Sequence, residues 1–223
     1  MIRLHLVVEG QTEEAFVRDL LAPHLVSFGV LAGARCVQTG RKRGVAFKGG
    51  VLSYPQFRRD VELWMREDQS RDAFFSTVLD LFRLPSDFPG YEAARPPLDP
   101  CERARRLEEH FREDLHHPFG HFLPHIQPYE FEALLFADLS VFAARFPNRP
   151  AGVERLQQMR AGFPTPEHVD DEDPPAQRIC SAIPDYDKRS DGPALARAVG
   201  LTAIRSQCGH FSAWVTALEH LGQ

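Results

Sequence analysis

Three stretches of this 223-residue chain place carboxylates where an apolar run stops. Leu4-His5-Leu6-Val7-Val8 ends on Glu9-Gly10, and Phe74-Phe75-Ser76-Thr77-Val78-Leu79 ends on Asp80. Glu130 and Glu132 open the segment Tyr129-Glu130-Phe131-Glu132-Ala133-Leu134-Leu135-Phe136. A charge at the end of a buried strand costs desolvation unless it has a partner. Acids gathered without a cation repel one another, and one takes a raised pKa. Mg2+ instead binds one or two carboxylates, keeps several waters and completes its shell with substrate phosphates. Such an ion stabilises charge on a phosphodiester and generates a hydroxide nucleophile. Taken singly, each acid is more simply read as a solvated loop charge. The set points to metal-dependent chemistry at phosphate.

The elements that must position these acids alternate between strand and helix. A first strand over about 3–8 is apolar almost throughout, as expected for burial on both faces. A helix follows from an N-cap at Thr12 to about Phe28, with Glu13 and Glu14 in its first turn and Pro23 as a kink. A weaker strand spans 34–38, and the basic segment Gly40-Arg41-Lys42-Arg43-Gly44 with Lys48-Gly49-Gly50 reads as a flexible loop. Ser53 with Gln56 gives a capping-box pattern for a second helix. The third strand, 74–79, is followed by a Pro/Gly-rich loop from Leu84 to Pro97, a helix from Asp99 to about Leu115, and a fourth strand over 121–126. Parallel strands need crossovers, so this alternation predicts an α/β fold with a mostly parallel sheet flanked by helices. Strand signals fade after about residue 138. Helices are expected over 139–163 and around 176–183, 193–199 and 211–221, with a Pro- and acid-rich loop at 164–175. The organisation read from this is a 1–138 α/β core and a 139–223 helical C-terminal subdomain packed on it. In a sheet of this kind ligands bind at the carboxyl edge, where Glu9, Asp80, Glu130 and Glu132 all fall.

An apolar strand ending in Glu9-Gly10-Gln11-Thr12-Glu13, with a second acid after the third strand, resembles the Toprim domain of topoisomerases, primases and overcoming-lysogenization-defect nucleases. More closely, the chain resembles the bacterial group called domain of unknown function 4276. The matching stretches are 8–14, Gly50-Val51-Leu52-Ser53-Tyr54, 84–91, 129–136, Tyr186-Asp187-Lys188 and Cys208-Gly209-His210-Phe211-Ser212-Ala213-Trp214. The resemblance implies a Toprim-like (Rossmann-like) sheet. It also implies that Glu9 acts as general acid/base or metal ligand and that Asp80 is the first aspartate of an Asp-x-Asp metal motif. Phe82 stands where the second would be. Glu132, Glu130 or Asp87 then replaces that ligand, Glu132 being preferred because an apolar helix follows it. Alternatively, the site binds metal weakly and the domain is degenerate. Toprim-like proteins of this style are often encoded beside ABC- or SMC-like ATPases in anti-phage systems, which implies an ATPase partner. No GxxxxGK[ST] motif occurs in the chain itself.

A phosphodiester substrate needs cations near the metal. Arg83, three residues past Asp80, suits a bidentate phosphate contact, and Lys188 is the best C-terminal candidate to reach back to the site. The rival reading of Lys188 is a surface lysine in a turn. The 41–48 basic segment suits a nucleic-acid backbone or is simply solvated. His210 suits phosphate binding or proton shuttling, although capping or a core hydrogen bond is the favoured reading. His110, His116, His117, His121 and His125 are interrupted by Pro118 and Pro124, and no HExxH motif joins them, so no zinc site is assigned there.

Composition sets the outer limits. Apolar residues make up 43% and charged residues 26% of the chain, as in an ordinary cored protein. A net charge of -5 argues against bulk adhesion to nucleic acid or membranes, though not against a local basic groove. The four cysteines form no CxxC pair. With no signal peptide and no run of about 20 apolar residues, a cytoplasmic protein is expected. The leading expectation is a nuclease that cuts DNA or RNA with Mg2+ (or Mn2+) held by Glu9, Asp80 and Glu132. The alternative is a catalytically degenerate Toprim scaffold, an adaptor that binds a partner or nucleic acid.

Overall fold

The strands are β1 (Ile2–Val8), β2 (Val30–Cys36), β3 (Gln38–Lys42), β4 (Val45–Lys48), β5 (Ala73–Asp80), β6 (Phe122–Leu123) and β7 (Ile126–Gln127) in a computed structural model. It describes residues 1–42, 45–48, 53–95, 98–169 and 173–223, with backbone alone for 38–42 and 45–48. The main sheet runs β2-β1-β5-β6, with β7 also on β5, and every pairing in it is parallel. The expected architecture is therefore present: an α/β fold with a parallel sheet flanked by helices and a helical C-terminal extension.

The expected helix over 12–28 is three segments, α1 (Gln11–Phe16), a π-helical stretch Val17–Leu21, and α2 (Ala22–Val26), which carries Pro23 near its start. Proline offers no N–H to the ladder, and the widened turn before it absorbs that loss. Gly10, not Thr12, is the N-cap. The remaining helices are α3 (Tyr54–Glu67), α4 (Pro100–Leu115), α5 (Ser140–Arg145), α6 (Pro150–Arg160), α7 (Pro175–Ala182), α8 (Lys188–Gln207) and α9 (Gly209–Glu219). Asp99 caps α4 as expected, accepting from the N–H groups of Cys101 and Glu102.

Four further expectations are corrected. The weak strand at 34–38 is β2, which begins earlier, and the expected basic loop carries the antiparallel pair β3–β4 instead. Arg43, Gly44 and 49–52 lie outside the described residues. The fourth strand is split into β6 and β7 because Pro124 cannot donate to the ladder. Thr77 spans the break, its hydroxyl donating to the His125 carbonyl at 3.1 Å and accepting from its N–H at 3.0 Å. The apolar helix expected after Glu132 is a 3-10 helix, Phe131–Ala137.

Alternation along β1 sends Leu4, Leu6 and Val8 to one face and Val7 to the other. The first face packs on α1, α2, the 3-10 helix and the C-terminal helices through Phe16, Phe131, Phe142, Leu195 and Phe211. The second packs on α3 and α4 through Phe57, Trp64, Leu107 and Phe111. Both faces are covered, as a parallel sheet requires.

The contact that brings the C-terminal half to the carboxyl edge is α8 against α1. Gly192 makes it possible: a Cβ there would lie 3.1 Å from Thr12 Cγ2 and 3.3 Å from the Tyr186 hydroxyl. Gly192→Val is expected to destabilise the protein by roughly 1–3 kcal/mol through overpacking, read from urea unfolding. An unchanged midpoint would show that α8 and α1 are not closely seated there.

Candidate active site

Glu9 is the first residue past β1, and its backbone N–H still donates to Val78 O at 3.3 Å. Its carboxylate then does what the next ladder carbonyl would do: Oε2 accepts from the Asp80 N–H at 3.2 Å. Asp80 in turn accepts from the Phe131 N–H at 2.9 Å and so holds the start of the 3-10 helix that carries Glu132. Tyr129, at φ +61°, turns the chain from β7 into that helix. A non-glycine residue in this region is uncommon and is tolerated where the surroundings fix it.

These links gather buried acids from separate elements. Glu9 is 5% exposed, Asp80 3%, Glu132 0%, and Glu13, from the first turn of α1, 4%. Lys188, the first residue of α8, brings its Nζ to 2.8 Å from Glu132 Oε2. The Tyr186 hydroxyl lies 3.4 Å from Glu132 Oε1. Asp187 caps α8 through the N–H groups of Arg189 and Ser190. Asp191 accepts from Asp187 N and binds Arg145 at 2.6 Å, fixing the turn that presents Lys188.

The charges do not balance. Burial pushes the Glu9 carboxyl up to about 7, and Glu13 adds to this against the Asp80 N–H, Arg83 and Lys188. Asp80 is pushed up by burial and by Glu9 and Glu13, with Lys188 opposing. Glu132 is pushed up by burial, again against Lys188. For Lys188, burial works to remove the proton, but Glu132 and Asp80 outweigh it and keep the ammonium charged. Glu9 Oε1 is buried and has no hydrogen-bond partner.

Sequence reasoning placed Glu9, Asp80, Glu132 and Lys188, and the structure brings them together. Arg83 is exposed at the same edge and acts on Glu9 through its charge. Glu130 is buried nearby, but its Oε2 accepts from Ala176 N at the start of α7. Asp87 is engaged elsewhere, accepting from Tyr54 N at 3.0 Å and capping α3 in place of Ser53. His210 is not part of the acidic edge: its Nε2 lies 2.9 Å from Glu108. Glu13 was read only as a helix-dipole acid; its place in the Glu-Gly-x-Thr-Glu motif was the available signal.

Among the described residues, two groups offer three ligand atoms that all lie within 4.8 Å of one another: Asp99, Cys101 and His168, and Glu108, His125 and His210. Glu9, Asp80 and Glu132 are not such a group; the Lys188 ammonium occupies Glu132.

The family described as a domain of unknown function, DUF4276, matches residues 8–219, and the chain belongs to it. Among solved structures it is similar to the C-terminal region of the Xanthomonas campestris pv. campestris OLD protein, at 18% identity and a TM-score of 0.40, over 99% of this chain and 98% of that one. No curated protein matches the chain. Among the described residues, no helix is long and apolar enough to cross a membrane.

The charge imbalance has a testable sign. Glu9 takes up its proton more readily in the folded chain, near 7, than at its ordinary value of 4.5. The folded state thus binds the extra proton between those values, and stability falls as pH rises through 7. In metal-free protein Glu9→Gln is expected to raise stability above pH 7 by on the order of 3 kcal/mol, with the gain vanishing toward pH 4.5. Lys188→Met has the opposite sign. Breaking a buried pair costs 3–5 kcal/mol, and Lys188 is one-third exposed, so a loss of about 2–3 kcal/mol is expected. Denaturant titrations across pH check both. A Glu9→Gln variant destabilised at every pH would remove the case for unbalanced charge.

Proposed function

We propose that this DUF4276 protein is a divalent-metal-dependent, Toprim-like nuclease that hydrolyses phosphodiester bonds of DNA or RNA. The observation that carries this reading is the buried, unpartnered Glu9 Oε1 beside Asp80, Glu13 and Glu132, where the half-buried Lys188 ammonium is bonded to Glu132 alone among these acids. Four carboxylates facing one ammonium at the carboxyl edge of a parallel sheet suit a hard cation with oxygen ligands. The donor chemistry suits Mg2+ or Mn2+, with Glu9, Asp80 and Glu132 as the proposed holders and Glu130 beside them. Their oxygens do not converge within 4.8 Å as they stand, so binding would require these side chains to close on the ion.

A divalent ion there supplies positive charge to the phosphodiester oxygens and activates water. The chain's own groups do the rest. Glu9, with one carboxylate oxygen unpartnered at the strand end, is placed to take a proton from the attacking water. Arg83 is exposed beside Glu9 and suits a phosphate contact. Lys188 keeps its proton and neutralises Glu132, and its ammonium would also offer donors to a substrate phosphate. An ABC- or SMC-like ATPase partner and a role in anti-phage defence rest on the Toprim resemblance alone.

A second reading, a catalytically degenerate adaptor, is favoured by Phe82. It is 49% exposed at the position of the missing aspartate. Cleavage assays on plasmid DNA and on RNA, with Mg2+ or Mn2+ and with chelator, separate the two. The nuclease reading expects metal-dependent cutting that falls at least about 100-fold in Glu9→Gln and in Asp80→Asn. Cutting indifferent to both substitutions would sink the metal-site assignment. Binding of nucleic acid or of an ATPase without any cutting would establish the adaptor.

A further inference from the structure

Away from the acidic edge, Glu108 of α4, His125 between β6 and β7, and His210 at the start of α9 converge, their ligand atoms all within 4.8 Å of one another. We propose that they form a Zn2+ site, with two imidazoles and one carboxylate as protein ligands. His125 is 0% exposed, and its Nδ1 has no hydrogen-bond partner although it lies 3.5 Å from Glu108 Oε1. On its other side His125 Nε2 faces Gln127 Oε1 at 3.4 Å. With its proton on Nε2, donated to Gln127, His125 would aim the Nδ1 lone pair at Glu108 Oε1. That oxygen already accepts from His210 Nε2 and from the Ile126 N–H, so a cation there would take the place of the His210 proton and also engage the Nδ1 lone pair.

Ligands bound to Zn2+ at about 2.0–2.2 Å in a tetrahedron stand roughly 3.3–3.6 Å apart. His125 Nδ1 stands 3.5 Å from Glu108 Oε1, within that range, whereas His210 Nε2 is hydrogen-bonded to the same oxygen at 2.9 Å and would draw back by about 0.5 Å to admit the ion. The surroundings hold the ligands in place, as outer contacts do at metal centres. His125 stacks between Trp214, at 4.4 Å, and His210, at 5.0 Å. Trp214 Nε1 is anchored to Ser76 Oγ at 3.0 Å, and the Ile126 N–H donates to Glu108 at 2.7 Å. Glu167, 1% exposed, accepts from the N–H groups of His210 and Phe211. Glu108 and Glu167 thus supply two buried negative charges for a divalent ion.

Imidazole ligands favour zinc over magnesium, which separates this site from the acidic edge in chemistry as well as in position. A cavity of about 210 Å³, lined by Glu108, His210, Arg105, Arg112 and Trp214 among others, adjoins the cluster and leaves the fourth coordination position to water or an anion. Binding must displace the His210 Nε2 proton, which the ring donates to Glu108 and to Ile126 O at 3.2 Å, so uptake releases a proton.

The test is Zn2+ titration of the full chain after chelator treatment, by calorimetry in buffers of different ionisation enthalpy and by metal analysis. One Zn2+ per chain with proton release is expected. Affinity should fall at least about 100-fold in Glu108→Gln and in His210→Gln, and stay unchanged in Glu9→Gln. Zn-edge X-ray absorption of the wild-type protein is expected to report nitrogen and oxygen neighbours, and it needs no variant to fold. No stoichiometric uptake, uptake surviving both substitutions in folded variants, or sulfur ligation, which would point to Cys101 with Asp99 and His168, overturns the proposal.

Discussion

The structure turns on the cost of burying carboxylates at one edge of a parallel sheet. Glu9 and Asp80 sit where β1 and β5 end, inside the protein and not in solvent. Each carries part of the backbone accounting: Glu9 accepts the Asp80 N–H, and Asp80 accepts the Phe131 N–H. The same oxygens that end the strands hold the next element in place. A neutral side chain could make these hydrogen bonds, so the ladder alone does not explain why the residues are acids. Their charge, opposed by burial and by one another, is kept at a cost to stability, and sites that keep perturbed groups at such a cost are where function concentrates.

The C-terminal helices are arranged around that cost. Lys188 reaches Glu132 because α8 starts at a fixed point, set by the Asp187 cap, by Asp191 bridging to Arg145, and by Gly192, which lets α8 close on α1. The core on that face runs without a break from β1 through Phe16 and Phe131 to Leu195 and Phe211. The helices after residue 138 therefore share hydrophobic burial with the first strand and also deliver its counter-charge. A lysine held this way neutralises Glu132 and leaves the other acids without an equal counter-charge. The pair is weak evidence for stability, since buried ion pairs roughly break even.

How far the sequence disclosed this depended on whether the cause was local. β1 and β5 were legible because each is a continuous apolar run stopped by an acid, and the parallel sheet followed from the alternation with helices. The α4 cap at Asp99 was legible because donor and acceptor lie within three residues. The α3 cap was not: Ser53 and Gln56 fit the pattern, yet Asp87, 33 residues away, makes the bond. In the sequence Asp87 therefore stands as a candidate ligand, whereas in the fold its carboxylate serves the start of α3. Glu13 was hidden for a related reason, because its neighbours Glu9, Asp80 and Glu132 come from other elements. The split between β6 and β7 followed from Pro124, visible in sequence, but Thr77 bridging the gap was not.

His210 shows the limit most clearly. As a singleton before an apolar helix it invited a core or capping reading, and its Nε2 does make a buried bond. Its partner Glu108 lies 102 residues earlier, on a helix whose charged face reads as solvated, and His125 had been set aside with four other histidines that share no helical register. Only the fold places the three together. The fold thus sets apart two proposed centres of different character. One has oxygen donors and excess negative charge at the sheet edge; the other has imidazoles and a carboxylate between α4, α9 and the edge strands. Because a hard ion and a borderline one are sorted by donor type more than by affinity, the two proposed centres would not compete for the same metal, and a substitution at either one tests it separately from the other.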